Sequence, residues 1–252
     1  TVNLSDLSAM GVYPYAYLMN IFLPKYIDEK WLRIFTKELL KIQKKNNFYL
    51  LGGDLSKSNK LSITSTFIGF QKQGVIVSQN VMTIDNDIWI TGEIGDSYIG
   101  LQILKNKINI KHLKEKKYFL NKYYFPSHCN IGPKISNFVN SMKDISDGFL
   151  GDLKKMLNNK YGAKINTNHI PLSTNMKKLI RRKIIDLKTI LNCGDNYELI
   201  IISDKKFRNK INSLAKKNKI KISRIGSITK NLHIADDSNN LLNIPREYDH
   251  FC

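Results

Sequence analysis

Asp144-Ile-Ser-Asp-Gly-Phe-Leu-Gly-Asp-Leu153 is the stretch on which the reading of this chain turns. It reads as a compact strand-to-helix turn over 144–148, opening a helix over 149–160. Acidic residues are the minority charge, 21 Asp and Glu against 40 Lys and Arg, so their placement is informative. Further acidic residues sit at turns beside Gly or Ser: Ser5-Asp6, Gly53-Asp54, Gly95-Asp96 and Gly194-Asp195. Glycine lets backbone approach a ligand closely, and N–H groups at a turn or helix start can cradle phosphate. A carboxylate there can hold Mg²⁺, which takes oxygen ligands and bridges to substrate phosphates. Each pair alone is more often just an ordinary turn. Their recurrence at strand and helix ends points to a multi-Mg²⁺ nucleotide site.

Outward from that stretch, periodicity predicts a mixed α/β chain in two lobes, 1–85 and 86–252. Asn3 to Met10 reads as the end of a helix stopped by Gly11 and Pro14, and Tyr15 to Leu23 as a buried strand. A helix over Asp28 to Lys45, capped by Asp28, carries an apolar stripe through Trp31, Ile34, Phe35, Leu39 and Ile42. Short strands are expected at Phe48 to Leu51, ending at Gly52-Gly53-Asp54, and at Leu61 to Phe70 and Gly74 to Ser78. In the second lobe, strand Ile88 to Thr91 leads through Gly92 and Gly95 into a helix, and helical segments continue to Met142. Strands at Ala163 to Asn166, Glu198 to Ser203, Ile222 to Ile228 and Leu232 to Ala235 follow, with a Lys-rich helix over 204–218.

The bulk composition sets bounds. With 42% hydrophobic and 24% charged residues in 252, the chain is globular and able to build a sizeable core. No apolar run approaches the ~18–20 residues of a membrane span. Thr1 reads as lying inside a helix with no signal peptide ahead of it, so no membrane is expected and the compartment is the cytoplasm. Three widely spaced cysteines, Cys129, Cys193 and Cys252, do not suggest a disulfide framework. The histidines form no zinc motif. A net charge of +19 invites a nucleic-acid reading. That charge is mostly Lys, spread along helical stretches, whereas base readout and phosphate clamps favour Arg. A solvated Lys surface is the better reading, and no nucleic acid is expected.

No P-loop, protein-kinase motif or nucleophile elbow is present, so a phosphotransferase here uses a less common nucleotide fold. The motifs in order are Val2-Asn-Leu-Ser-Asp-Leu-Ser-Ala-Met-Gly11, Leu51-Gly-Gly-Asp54, Ile90-Thr-Gly-Glu-Ile-Gly-Asp96 with Gly100-Leu101, Asp144 to Leu153, Gly194-Asp-Asn-Tyr-Glu-Leu199 and Tyr248-Asp-His-Phe251. In order and spacing they resemble those of the thiamine-monophosphate kinases, over essentially the whole chain.

The resemblance implies an α/β (α+β) two-lobed fold shared with aminoimidazole-ribonucleotide synthetase, and a homodimer formed through the N-terminal lobes. It implies ATP and thiamine monophosphate as partners and several Mg²⁺ ions as cofactors. Asp6, Asp54, Asp144 and Asp147 match the family's metal ligands. Gly53, Asp54 and Ser146 match its ATP contacts, and Asp195 and Tyr248 its thiamine-phosphate contacts. The family carries an acidic segment ahead of the first motif, so the N-terminal lobe is expected to be incomplete and residues 1–252 alone inactive. Asn80 stands where the family has an ATP-contacting Arg, and Asn196 where it has an Asp, which removes a charge beside the substrate. Alternatives are a selenophosphate synthetase-like or hydrogenase-maturation-like enzyme of the same fold, or a non-catalytic Lys-rich binding module. Among single residues, Asp152 reads as a cap or solvent-facing, Glu198 as support for the Asp195 turn, Trp31 and Trp89 as core, and Cys193 as buried and inert.

Overall fold

A computed structural model describes residues 1–71, 75–78 and 81–242. The first elements are α1 Val2–Ala9, β1 Tyr13–Leu23, α2 Glu29–Asn46, β2 Tyr49–Lys57 and β3 Ser62–Phe70. Then come β4 Asp87–Thr91, α3 Asp96–Leu104, α4 Leu113–Tyr124, α5 Gly132–Ile135, β5 Ser141–Asp144, α6 Phe149–Leu157 and β6 Gly162–Ile165. The last are α7 Thr174–Arg181, α8 Leu187–Leu191, β7 Leu199–Ser203, α9 Arg208–Lys217, β8 Ile222–Thr229 and β9 Ile234–Asp236. These elements fall into two compact units, Val12–Gln73 and the combination of Thr1–Gly11 with Gly74–Cys252.

In the smaller unit the strand order is β2-β1-β3, with β1 parallel to β2 and antiparallel to β3. A parallel pair needs a crossover, and α2 supplies it. The Asp28 carboxylate accepts the Trp31 amide at 2.8 Å, and Asn47 turns left-handed at the other end, φ 55°. Tyr17, Phe48 and Phe67 make an aromatic cluster with ring centroids 5.1–5.4 Å apart. Gln43 of α2 donates to the Tyr17 hydroxyl at 2.8 Å, which satisfies the polar end of that ring.

Three sequence expectations change here. Tyr15 to Leu23 is not buried throughout: Ala16 and Tyr17 are, while Leu18 and Phe22 of the same strand are exposed. Trp31 stacks on Phe35 along α2, and no residue of that helix is fully buried, so Trp31 is not core. The Gly-Gly signal does not stop β2 either. Pairing with β1 continues through Met19↔Gly53 and Asn20↔Asp54, so Asp54 lies in mid-strand rather than at a turn. A Cβ on Gly53 would sit 1.7 Å from the Met19 carbonyl oxygen, so glycine is required by the close strand approach.

In the larger unit the order is β5-β7-β4-β8-β6-β9, antiparallel except for β6 with β9. Every residue of β4 and β7 is buried, the mark of strands covered on both faces. Their period of two sorts side chains into two cores. Ile88, Ile90, Ile200 and Ile202 face one that holds Phe119, Phe149 and Leu153. Trp89, Leu199 and Ile201 face another that holds Ile131, Ile135, Met142 and Ala9 of α1. Met142 therefore belongs to β5, opposite Ile201, and not to a helix. Residues 75–78 form no strand.

The α1 helix is pressed onto α5 at Gly132, whose added Cβ would lie 1.8 Å from the Ser8 carbonyl oxygen. Gly132→Ala is expected to push α1 off that surface and cost about 1–3 kcal/mol. A urea midpoint unchanged from the parent would contradict so close an approach.

Candidate active site

The antiparallel pair β5–β7 ends with Asp144 opposite Leu199. The two chains go on bonding past that end. Ile145 N donates to Glu198 O at 2.8 Å and Tyr197 N to Ile145 O at 2.9 Å. Asn196 N also reaches Ile145 O at 3.2 Å, and Asp195 N reaches Ser146 O at 2.8 Å. The turn carrying Asp144, Ser146 and Asp147 and the turn carrying Asp195 are thereby one piece. Asp195 and Tyr197 both take positive φ, 58° and 55°, a conformation that non-glycine residues keep only where surroundings over-determine it. The Tyr197 hydroxyl donates to Asp195 Oδ1 at 3.1 Å. Burial, the Asp195 charge and, further off, Asp144 all hold that phenol protonated.

A third motif is tied in by Asn196. Its Oδ1 accepts the Gly95 amide at 2.6 Å, while its Nδ2 donates to Cys193 O at 2.8 Å and Gly194 O at 3.2 Å. A carboxylate has no proton for those carbonyls, so Asn196 is an internal tie as well as a lost charge. Asp96 is buried with both oxygens engaged, one by the Tyr118 hydroxyl at 2.6 Å and one by the Ser173 hydroxyl at 2.7 Å. Its carboxylate serves the fold. The Glu198 Oε2 accepts the Thr91 hydroxyl at 2.6 Å. Cys193 is buried, and burial pushes its thiol up to about 12, so it is inert as expected.

Asp6 and Asp144 face each other electrostatically. Burial raises the Asp144 carboxyl, and the Asp6 charge raises it further, against the Ser5 hydroxyl that donates to its Oδ2 at 3.0 Å. Partial burial raises Asp6, and Lys143 opposes that shift. Asp147 is exposed and paired with Lys155 at 2.7 Å. Asp152 is neither solvent-facing nor an ordinary cap. It is wholly buried, and its Oδ2 accepts the amides of both Ser146 and Asp147 at 3.0 Å. Those amides are thus engaged within the protein, and so are the Asp195, Asn196 and Gly95 amides.

One unit thus gathers Asp6, Asp144, Ser146, Asp147 and Asp195. Gly53 and Asp54 lie in the other unit, where the Asp54 amide donates to Asn20 Oδ1 at 3.0 Å and its carboxylate accepts the Ser56 hydroxyl at 2.5 Å. Tyr248 and Asn80 lie outside the described residues. Sequence reasoning passed over Ser5 and Lys143. Ser5 carried a signal, as the neighbour of Asp6 in the Ser-Asp pair, whereas Lys143 is one lysine among many. Among the described residues no group of three or more His, Cys, Asp or Glu side chains forms a metal cage. The mutually repelling pair Asp6 and Asp144 still suits Mg²⁺, which takes one or two carboxylates and completes its shell with water and substrate phosphate.

The AIR synthase related protein N-terminal domain matches residues 1–71, and the C-terminal domain of the same proteins matches residues 86–236. A thiamine-monophosphate kinase of Buchnera aphidicola subsp. Schizaphis graminum is 37% identical over 258 residues, covering 99% of this chain and 78% of that protein. The chain belongs to the thiamine-monophosphate kinase family. A crystal structure of the family's member from Stenotrophomonas maltophilia superposes with a TM-score of 0.82 at 25% identity, covering 94% of this chain and 76% of that one. AaThiL, solved in complex with AMPPCP and TMP, shares the fold at a TM-score of 0.82 and 20% identity, covering 99% of this chain and 78% of that one.

Within this family frame, Glu198 supplies a pH test. Burial pushes its carboxyl from the ordinary 4.5 up to about 7, with Glu93 adding to the rise and the Thr91 hydroxyl and Lys122 opposing it. The folded state binds this proton more tightly than the unfolded one. Stability from Glu198 is therefore present below about pH 4.5 and lost as pH rises through about 7. Glu198→Gln keeps an acceptor for Thr91 and cannot ionise. It is expected to flatten the fall in stability between about pH 5 and about pH 8, gaining roughly 1–3 kcal/mol over the parent at the upper end. Urea melts at both pH values check this, and parallel pH profiles would contradict it.

Proposed function

We propose that the full-length protein transfers the γ-phosphoryl group of ATP to thiamine monophosphate, giving thiamine diphosphate and ADP. The observation that carries this reading is the joined pair of turns presenting Asp144, Ser146, Asp147 and Asp195, in a chain 37% identical to a thiamine-monophosphate kinase. That the fold relative AaThiL is complexed with an ATP analogue and TMP supports both substrates.

The acceptor is a phosphate oxygen that is already anionic near neutral pH, so no general base is needed. The difficulty is bringing two polyanions together. Two bare unit charges ~4 Å apart repel by ~4 kcal/mol at an effective dielectric of about 20. In our reading Asp6, Asp144, Asp147 and Asp54 hold Mg²⁺, which when bound neutralises phosphate charge and stabilises charge developing in transfer. Burial of Asp144 beside Asp6 favours this, because a bound cation relieves both desolvation and mutual repulsion. Asp147, paired with Lys155 in this structure, would hold the ion once released from that lysine. Ser146, Gly53 and Asp54 contact ATP, and Asp195 and Tyr248 contact thiamine monophosphate. The Asp195 carboxylate is oriented for this by Tyr197. Direct in-line transfer without a phosphoenzyme follows, since no nucleophilic side chain is called for.

The lobes 1–85 and 86–252 are part of the same proposal, supported by the domain matches at 1–71 and 86–236. So is a homodimer, which the exposed apolar residues of the smaller unit favour, among them Tyr49, Leu50, Leu51 and Leu55 of β2 and Ile63 and Ile68 of β3. No helix among the described residues is long and apolar enough to cross a membrane, and we place the reaction in the cytoplasm, beside the ATP pool.

Incubating the full-length protein with ATP, Mg²⁺ and thiamine monophosphate and resolving the products by chromatography is expected to yield thiamine diphosphate. ADP without it would point to another enzyme of the fold. Asp147→Asn and Asp54→Asn are each expected to lower kcat at least ~10²-fold, about 2.7 kcal/mol of transition-state stabilisation, with unchanged melting temperature. Turnover near that of the parent in excess Mg²⁺ would remove the residue from the site.

A further inference from the structure

Asp152 is a buried carboxyl group placed at a cost. Its side chain is wholly inaccessible, Lys143 stands 3.6 Å from Oδ1, and Oδ1 accepts no hydrogen bond. A desolvated carboxylate survives only where donors converge on it, and here they are the two amides on Oδ2. Packing alone does not ask for the charge, because Asn has nearly the same shape. The amides of a turn that opens a helix form a ready anion site, as in loops that cradle phosphate. In this chain the anion is supplied by the helix itself, from Asp152 in the first turn of α6.

We propose that Asp152 is a positioning residue whose carboxylate fills the amide nest of the 144–148 turn, so that the turn offers the side-chain oxygens of Asp144, Ser146 and Asp147 to a cation instead of its amides to a phosphate. This rests on the metal-binding reading of those side chains given above. Asp152 touches neither ion nor nucleotide in this arrangement. It acts by fixing the backbone from which they are reached, and its negative charge adds to the field of the site without supplying a ligand.

The test is direct Mn²⁺ binding to the full chain without nucleotide, followed by electron paramagnetic resonance, for the parent and Asp152→Asn. The isosteric variant keeps volume and an acceptor oxygen but loses the charge that strengthens both amide bonds. It is expected to weaken Mn²⁺ binding about tenfold, in the range typical for outer-shell partners of metal ligands, and to raise the Mg²⁺ concentration for half-maximal turnover in proportion. Its kcat at saturating Mg²⁺ falls less. Parent-like Mn²⁺ affinity in a folded Asp152→Asn would overturn the proposal while leaving the metal site standing. Absence of Mn²⁺ binding by the parent would instead overturn the metal reading, and this inference with it. Should the variant not fold, the parent decides by NMR. Its Ser146 and Asp147 amide resonances are expected to stay in place on adding inorganic phosphate, because Asp152 already fills the nest, and movement of both would overturn the proposal.

Discussion

The site depends on hydrogen bonds that continue where the β5–β7 ladder stops. Regular strands position a residue by register, but a functional loop beyond the last pair is ordinarily free to move. In this chain Ile145, Ser146, Asp195, Asn196, Tyr197 and Glu198 go on exchanging backbone bonds past the strand ends. β7 behind them is buried on both faces, so the turns inherit the rigidity of the core. Positive φ at Asp195 and Tyr197 is tolerable because those bonds hold it in place. The third loop joins through Asn196 and Gly95. A preorganised carboxylate platform is what phosphoryl transfer asks of a protein that does little covalent chemistry itself.

Charge is distributed with the same logic. The chain carries +19 overall, yet Asp6, Asp144, Asp147, Asp152 and Asp195 collect around one pair of turns. Asp144 and Asp152 have carboxyls raised by burial, and Lys143 moderates both. Desolvation raises the energy of a carboxylate, and a cation beside such a group gains more than it would beside one in water. The lysines on α2 and α9 lie along solvated helix faces.

Much of this was legible in the sequence because it is local. The Asp144 to Leu153 turn, the Asp28 cap and the apolar run Leu199 to Ser203 each carry their own signal within a few residues. What failed is non-local. Gly52-Gly53-Asp54 looks like a stop until β1 pairs with it, and Met142 looks helical until Ile201 lies opposite. Asp152 sits on an amphipathic helix where an acid near the start is an ordinary charge preference. Only the fold shows that its partners are the two amides of the preceding turn. Asn196 looked like a lost charge because the Gly95 amide that its Oδ1 accepts lies in a distant loop.

Amide hydrogen exchange under native conditions tests the central claim, that the motif turns form one rigid platform continuous with the core. The amides of Gly95, Ser146, Asp147, Asp195, Asn196 and Tyr197 are expected to exchange slowly and together, at the rate of β7 amides such as Ile200. Exchange of these turn amides orders of magnitude faster than β7, at rates ordinary for surface loops, would contradict the account.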